Sequence, residues 1–316
     1  MKKYLLPDGM KSYKANLHCH STYSDGHFTV EFLKEYYRKN GYSIVAFSDH
    51  NVLIPHPELM SDDFIPLTAT EIDVNKPHSE RCYHLNFFSC DRGKTEFPPI
   101  ERVYSVEGIN KIIETGNKNG FLCQYNHPRW SLQTAEEYRD LKGLWGFEVF
   151  NTGCELELHD GWGDREYEVI CRDGGELPAA TATDDNHNWA NDITSPYDDS
   201  FGGWTTVFAP SLTYDAVYNA LKNGDCYATT GPEIHSLYVE DGRLHAKFSP
   251  ACSVCLRFET RRTGVVISDS DDLTEAEFDV GGEYRYFRLE VKDSHNNKAM
   301  TRAYSFEEVN KNISGG

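Results

Sequence analysis

Between residues 14 and 229, short apolar runs alternate with segments of helical spacing, and most of the runs end beside a histidine or a carboxylate. Alternation of this kind predicts a mostly parallel sheet, either a barrel or a doubly wound layer. The strand-like runs are 14–17, 43–48, 64–74, 82–89, 121–125, 144–150, 179–183, 205–208 and 226–229. Helical spacing marks the segment from Thr29 to Gly41, then 104–118, 135–141, 166–172 and 213–223. Thr29 is a good N-cap, with Glu31 in the first turn and Gly41 just past the end. In such a fold the ends of strands carry the chemistry, and the polar candidates cluster there.

The first of these ends reads His18-Cys19-His20, then Ser24-Asp25-Gly26 in a turn. Alternate side chains of an extended chain point the same way, so both imidazoles can face one point. His50 follows the next apolar run, and Glu71 and His84 lie in the two after that. His127 comes after 121–125, and Asp185-Asn186-His187 after 179–183. Any one of these alone reads more simply as a packed or surface residue. Together, His18, His20, Asp25, His50, Glu71, His84, His127, Asp185 and His187 take six of the 13 histidines. At about four ligands per ion, with one carboxylate bridging, nine such groups suit two or three divalent cations. Mixed nitrogen and oxygen donors favour zinc, manganese or iron over calcium or magnesium.

The segments His18-Cys19-His20, Ser24-Asp25-Gly26, Ser48-Asp49-His50, Thr70-Glu71-Ile72, Tyr83-His84-Leu85, Asn126-His127-Pro128 and Asp185-Asn186-His187 resemble, in order and rough spacing, the motifs of the PHP (polymerase and histidinol phosphatase) superfamily. The resemblance covers about residues 14–230. It implies a distorted (β/α)7 TIM-like barrel with up to three metals. It further implies that His18, His20, Glu71 and Asp185 hold one metal. Glu71 would bridge to a second with His84 and His127, and Asp25, His50 and His187 would hold the third. Glu71, His20, Asp185 and Arg129 are the expected catalytic residues. Where many relatives have one acidic residue, this chain has Asp184-Asp185. Asp185 is favoured because it stands two before His187, with Asp184 as the fallback.

Beyond Gly231-Pro232 the texture changes to short β-rich segments separated by turn residues. This predicts a small all-β, sandwich-like domain over 232–316 after a hydrolase domain over 1–231. The tail is similar to the β domain that follows the metal domain in some bacterial CehA/McbA-like members. Its role is read as a cover for the first domain or as a binding module.

The net charge is −19, from 31 basic and 50 acidic residues, which argues against binding long nucleic acid on a broad basic surface. A small anionic, phosphorylated substrate remains compatible, because bound cations reverse the local field. Met1 to Asp8 lacks the sustained apolar run of a signal peptide, and no run approaches a membrane span. With nine irregularly spaced cysteines, reduced thiols and a cytoplasmic location are expected. Cys252-Ser253-Val254-Cys255 has no second pair and reads as structural. Asn312-Ile313-Ser314 matches a glycosylation acceptor only by coincidence in a non-secreted tail.

Phosphoester hydrolysis leads the functional readings, because such a metal site generates hydroxide and stabilises both oxygens of a phosphoryl transfer. Small metabolites, nucleotides and short oligonucleotides all fit. Arg129 is read either as a clamp on a phosphate oxygen or as a salt-bridged rim residue. Carboxylic or carbamic ester hydrolysis is the alternative, since clamping Arg or Lys residues are scarce near the motifs. A non-catalytic metal-stabilised module is disfavoured by the complete residue set. Glu148 is read as a support or pocket residue, and Asp49 as an orienting group. Trp130, Trp162, Trp189 and Trp204 are read as packing, with stacking on substrate open.

Overall fold

The computed structural model describes residues 2–310. The acceptor-like Asn312-Ile313-Ser314 lies outside the described residues. In chain order the elements of the first stretch are β1 (Lys3–Tyr4), β2 (Lys11–Cys19), α1 (Val30–Lys39), β3 (Tyr42–Phe47), β4 (Ile65–Asn75) and β5 (Cys82–Ser89). Then follow α2 (Val106–Lys118), β6 (Phe121–Tyr125), α3 (Ala135–Tyr138), β7 (Gly146–Asn151), α4 (Thr152–Leu158) and α5 (Asp164–Val169). After them come β8 (Ala179–Thr183), β9 (Trp204–Ala209), α6 (Tyr214–Asn223) and β10 (Cys226–Thr229). The remainder is β11 (Ile234–Glu240), β12 (Arg243–Ala251), β13 (Ser253–Phe258), β14 (Thr263–Ile267), β15 (Leu273–Asp279), β16 (Tyr286–Lys292), β17 (Lys298–Thr301), β18 (Tyr304–Ser305) and α7 (Phe306–Asn310). No helix among the described residues is long and apolar enough to cross a membrane.

Local chemistry explains the helices that join the strands. Thr29 caps α1 by accepting from the Phe32 N–H, and Val30, Leu33 and Tyr37 recur on the buried face. A cap of this kind contributes about 1 kcal/mol. Gly41 stands just past the end with φ +80°, in the left-handed region that glycine adopts freely. Ser105 caps α2 in the same way, and Ile109, Ile112 and Ile113 bury its inner face. Those residues pack with Phe87, Phe121 and Tyr125 in the largest apolar cluster.

The result is a mixed α/β fold with one large sheet, in the order β14-β13-β16-β17-β10-β9-β2-β3-β4-β5-β6-β7-β8. β2, β3 and β4 run parallel, as do β6, β7 and β8. β5 is antiparallel to both of its neighbours. The mostly parallel expectation therefore fails at β5. Only residues 76–81 join β4 to β5, too few for a parallel crossover, which takes a dozen or more. β9 is antiparallel to β2, and β10 to β9.

No continuous ladder joins β8 back to the other edge among the described residues, so the sheet is open in its main-chain bonding. β8 nonetheless lies against β9. The Ala182 N–H donates to Thr205 Oγ1, whose hydroxyl donates to the Ala182 carbonyl. Just past β8 the Asp185 N–H donates to the His18 carbonyl, and the His20 N–H donates to the Asn186 carbonyl. These bonds bring the ends of β2 and β8 together where the candidate residues lie.

From residue 232 onward the chain is β-rich, as expected. A four-stranded antiparallel sheet, β1-β11-β12-β15, faces the β13–β17 end of the large sheet. Leu237, Leu244, Phe248 and Phe278 from one side meet Val254, Leu256, Phe287 and Leu289 from the other. Two features were not expected. β1, at the very start of the chain, pairs with β11. And β17 pairs with β10, so the large sheet runs on into the C-terminal part.

Candidate metal centre

Glu71 stands at the centre of the arrangement. It lies in β4, donates its backbone N–H to the Ser48 carbonyl at 3.0 Å, and is fully buried. Five imidazoles reach its carboxylate. His84 Nδ1 is 3.1 Å away, His18 Nε2 and His50 Nδ1 are each 3.2 Å away, His20 Nε2 is 3.3 Å away, and His127 Nε2 is 3.6 Å away. These rings follow one another with centroids 4.5 Å apart for His20 and His50, 5.4 Å for His50 and His84, and 5.0 Å for His84 and His127. His18 closes the circuit at 5.7 Å from His127 and 5.1 Å from His20.

Asp185 supplies a second carboxylate. Its Oδ1 is 3.0 Å from Nε2 of both His18 and His20, and its Oδ2 is 3.6 Å from His127 Nε2. Asp25, in the turn after β2, is 3.5 Å from His187, 3.7 Å from His20 and 3.7 Å from His50. All nine sequence candidates are thus brought to one place. Ligand atoms gather into groups that can hold an ion: His18/His20/Glu71/Asp185, His20/Asp25/His50/His187, and His50/Glu71/His84. Glu71 belongs to two of them. His127 falls in a further group with His18 and Glu148.

The two neighbouring aspartates differ. Asp184 is turned away from the histidines. It accepts from the Tyr37 hydroxyl at 2.9 Å, the Thr152 hydroxyl at 2.8 Å and the Gly202 N–H at 3.1 Å. Burial pushes its carboxyl up to about 6 despite those bonds. Asp185 faces the cluster from a left-handed backbone position, φ +52°, without being glycine. Such conformations cost on the order of 1–2 kcal/mol and collect at functional sites. The bond from the Asp185 N–H to the His18 carbonyl, 2.9 Å, and that from Asn151 Nδ2 to Asp185 Oδ2, 3.0 Å, hold it there.

Several histidines have one ring nitrogen fixed from outside. His18 Nδ1 meets Glu148 Oε1 at 2.9 Å. A carboxylate only accepts, so Nδ1 carries a proton and Nε2 is the nitrogen left facing the cluster. His187 Nδ1 donates to the Asp185 carbonyl at 3.0 Å, and His127 Nδ1 pairs with the Ser131 hydroxyl at 3.2 Å. This is the carboxylate–histidine or carbonyl–histidine pattern that orients metal ligands. Glu148 also accepts from the His127 N–H and from Asn151 Nδ2. Asn126 Nδ2 donates to Glu71 Oε1 at 2.8 Å. Asp49 accepts from the Ser21 N–H, the Ser21 hydroxyl and the Ser24 hydroxyl, all at 2.8 Å, and so shapes the turn before Asp25. Asn151, Asn126, Ser131 and Ser21 were missed from sequence. Their one signal was position, each adjoining or lying within four residues of a candidate ligand or of Glu148.

The donor set fits cations. Among the described residues, Glu71 Oε2, Asp185 Oδ1 and His127 Nε2 are buried and make no well-aligned hydrogen bond, although imidazole nitrogens stand 3.0–3.3 Å from the two carboxylate oxygens. An unpartnered buried carboxylate oxygen is costly unless a positive charge answers it. In the metal-free protein, protons answer it. Burial alone would lower the His18 pKa, but Asp185, Glu71 and Glu148 outweigh it and hold His18 well above its ordinary value. His20 is held up at about 9, with burial overcome by Asp185 and Glu71. Burial opposes ionisation of Glu71, yet His18 and His84 keep it well below the usual carboxylate range. His50 goes the other way, lowered chiefly by burial.

Arg129 does not join the cluster. Its Nε donates to Glu166 at 3.1 Å and its Nη1 to Asp160 at 2.6 Å. The cavity over the cluster is lined by Trp130, Trp189, Cys154, Glu157 and Asp199 beside the candidate ligands, with no Lys or Arg among the described residues. Trp162 packs on Phe150 and under Lys298, and Trp204 under Lys14, outside that cavity.

No family model matches the sequence, and no curated protein does. The chain is similar in structure to a two-domain protein from Bacteroides vulgatus that contains a predicted PHP-like metal-dependent phosphoesterase. That pair is 13% identical, covers 96% of this chain and 98% of the other, and has a TM-score of 0.47. It is also similar to an amidohydrolase from Chromobacterium violaceum, at 13% identity, 66% and 96% coverage and a TM-score of 0.43. A third likeness is to a candidate metal-dependent phosphoesterase from Bifidobacterium adolescentis. Identity is 16%, coverage 55% and 87%, and the TM-score 0.37. The functional reading rests on the cluster itself.

Proposed function

We propose that this protein is a metal-dependent hydrolase that cleaves a phosphate ester of a small molecule. The observation that carries this is the Glu71 carboxylate, buried and within 3.6 Å of five imidazole nitrogens that converge on its two oxygens. Two or three divalent ions of zinc, manganese or iron, when bound, supply Lewis acidity toward a phosphoryl oxygen and a nucleophile at neutral pH. His18, His20, Glu71 and Asp185 would hold one ion. Glu71 would be shared with a second beside His84 and His127. Asp25, His50 and His187 would hold a third.

The chain's own residues do the positioning. Glu148 fixes the His18 ring, Ser131 the His127 ring, and the Asp185 carbonyl the His187 ring. Asn126 and Asn151 hold the Glu71 and Asp185 carboxylates. Preorganised groups of this kind cost no rearrangement during reaction. Arg129, engaged by Asp160 and Glu166, joins the rim to α5 in this scheme and leaves phosphate binding to the cations.

The same reading takes residues 1–231 as a distorted (β/α)7 barrel and 232–316 as a small β-rich unit. The bonds between the ends of β2 and β8 support the first part, and the facing sheets support the second. Nine free cysteines support a reducing, cytoplasmic setting. Carboxylic or carbamic ester hydrolysis is the second reading, favoured by the absence of Lys and Arg from the described cavity lining.

The test is release of p-nitrophenol from a phosphate ester and from a carboxylate ester, by wild type and by His20→Ala. Phosphate release that needs His20 supports the proposal. A preference for the carboxylate ester moves the assignment to the second reading.

A further inference from the structure

The cavity over the cluster has a chemical character that the metal site alone does not require. Trp130 and Trp189 both line it, one at each end of the imidazole array. Trp130 lies beside His84 and His127, with ring centroids 5.8 and 5.2 Å away. Its indole N–H donates to Glu157 Oε2 at 2.7 Å, which fixes the ring plane. Trp189 stacks on His187 at 5.3 Å with the planes 8° apart, yet is 54% exposed. A large ring held parallel to a candidate ligand, and more than half open to solvent, is poorly explained by packing.

Charge restricts what enters between them. Beyond the candidate ligands, the lining residues of a charged type are Glu157 and Asp199, both acidic. Arg129, adjacent to Trp130 in sequence, is spent on Asp160 and Glu166. Cations at the cluster would answer one anionic group. A second anionic group would meet carboxylates with no Lys or Arg beside them, and like charges in a half-buried cleft repel. Indole walls, in contrast, favour a flat ring at little ordering cost.

Resting on the phosphoesterase reading, we infer that this site selects phosphate esters with one anionic group and a flat, uncharged aromatic group held by Trp130 and Trp189. It rejects substrates with a second phosphate or a carboxylate. Trp130 and Trp189 are specificity residues that touch the departing or retained ring, and they take no part in bond breaking.

The test measures binding, so that it does not depend on turnover or on leaving-group chemistry. Affinities of benzylphosphonate, ethylphosphonate and 4-carboxybenzylphosphonate are measured by calorimetry on the full chain with added manganese. Benzylphosphonate is expected to bind about tenfold tighter than ethylphosphonate, the worth of one aromatic stack. The 4-carboxy compound is expected to bind at least about tenfold more weakly than benzylphosphonate. Trp189→Leu and Trp130→Leu should each shrink the benzyl-to-ethyl ratio, the double variant should bring it to within about twofold, and Trp130→Phe should retain it. Metal content and circular dichroism of each variant report that the cluster and fold persist.

Equal affinities in the wild type, a ratio that survives the double variant, or unhindered binding of the carboxy compound would overturn the inference. Should benzylphosphonate bind through the indoles while benzyl phosphate is not hydrolysed, the phosphoesterase reading fails alone. Hydrolysis of benzyl phosphate without dependence on the indoles overturns only the present inference. Absence of any phosphonate binding sinks both.

Discussion

At the scale of single residues, Glu71 and Glu148 divide two tasks that sequence alone does not separate. Each is a carboxylate in an apolar strand. Glu71 faces five imidazoles, whereas Glu148 stands behind one of them and accepts from His18 Nδ1 at 2.9 Å. Glu148→Gln keeps the shape and removes the charge that fixes the His18 tautomer. It is expected to weaken metal affinity about 10–100-fold while leaving the fold intact, as loss of such a partner typically does. Titration against a competing chelator measures it, and unchanged affinity would count against the supporting role. Protons give a second test. His20 is held up at about 9 because Asp185 and Glu71 outweigh its burial. A histidine raised on folding stabilises below its unfolded value near 6.5, and that contribution is lost as the pH rises through about 9. Chelated protein is therefore expected to melt lower at about pH 9.5 than at pH 6.5. Metal competes with the same protons, so the melting-temperature gain on adding zinc should grow over that window. A gain that shrinks with rising pH contradicts the assignment of these histidines as ligands.

At the scale of elements, the site depends on turns as much as on strands. The Ser24-Asp25-Gly26 turn folds back so that the Gly26 N–H reaches the Ser21 carbonyl at 3.0 Å. A Cβ on Gly26 would stand 2.5 Å from the His20 carbonyl oxygen, and backbone rather than a flexible side chain would have to give way. Gly26→Ala is accordingly expected to displace Asp25 and to lower the number of ions retained per chain, read by elemental analysis after dialysis. Retention of the wild-type number would show that the turn tolerates the change. Strand positions were legible from sequence because buried strands are short apolar runs, but their ends were not: β2 spans Lys11–Cys19, and His18, Glu71 and His84 stand inside β2, β4 and β5. Helix α1 was legible from its cap and its spaced Leu33 and Tyr37. Helix α4 was not, because Thr152–Leu158 is short, contains Gly153 and shows no clear apolar stripe. The Asn151 side chain starts it by accepting from the Cys154 N–H at 2.8 Å. The choice between Asp184 and Asp185 rested only on spacing to His187. In the structure Asp185 faces the histidines, while Tyr37, Thr152 and Gly202 converge on Asp184 from three separate segments.

At the scale of the whole molecule, sequence periodicity locates strands but not their partners. The break in texture at Gly231-Pro232 was visible, whereas the β10–β17 ladder and the pairing of β1 with β11 join residues at least 70 positions apart. No local signal encodes such pairing. The antiparallel β5 was readable in principle from the six-residue link at 76–81. A buried charge network also ties the C-terminal strands to α5. Arg288 is fully buried in β16, donates from Nε to Glu168 at 2.7 Å, and pairs with Glu290. The Tyr286 hydroxyl donates to Glu168 at 3.0 Å. Arg288→Met leaves the buried Glu168 with the Tyr286 hydroxyl and the half-exposed Arg172, and removing one member of such a buried pair costs up to about 3–5 kcal/mol. Urea unfolding should show a loss of that size, and a loss under about 1 kcal/mol would mean that the network does not join the two parts.

Counting metal per chain shows whether Glu71 and its five imidazoles form a centre for more than one ion. Full-length protein is stripped with chelator, reloaded with zinc or manganese, dialysed and analysed for metal, alongside Glu71→Gln. Two or more ions per wild-type chain, with at least one lost from Glu71→Gln, is the predicted result. Fewer than one ion per chain with either metal would contradict the account.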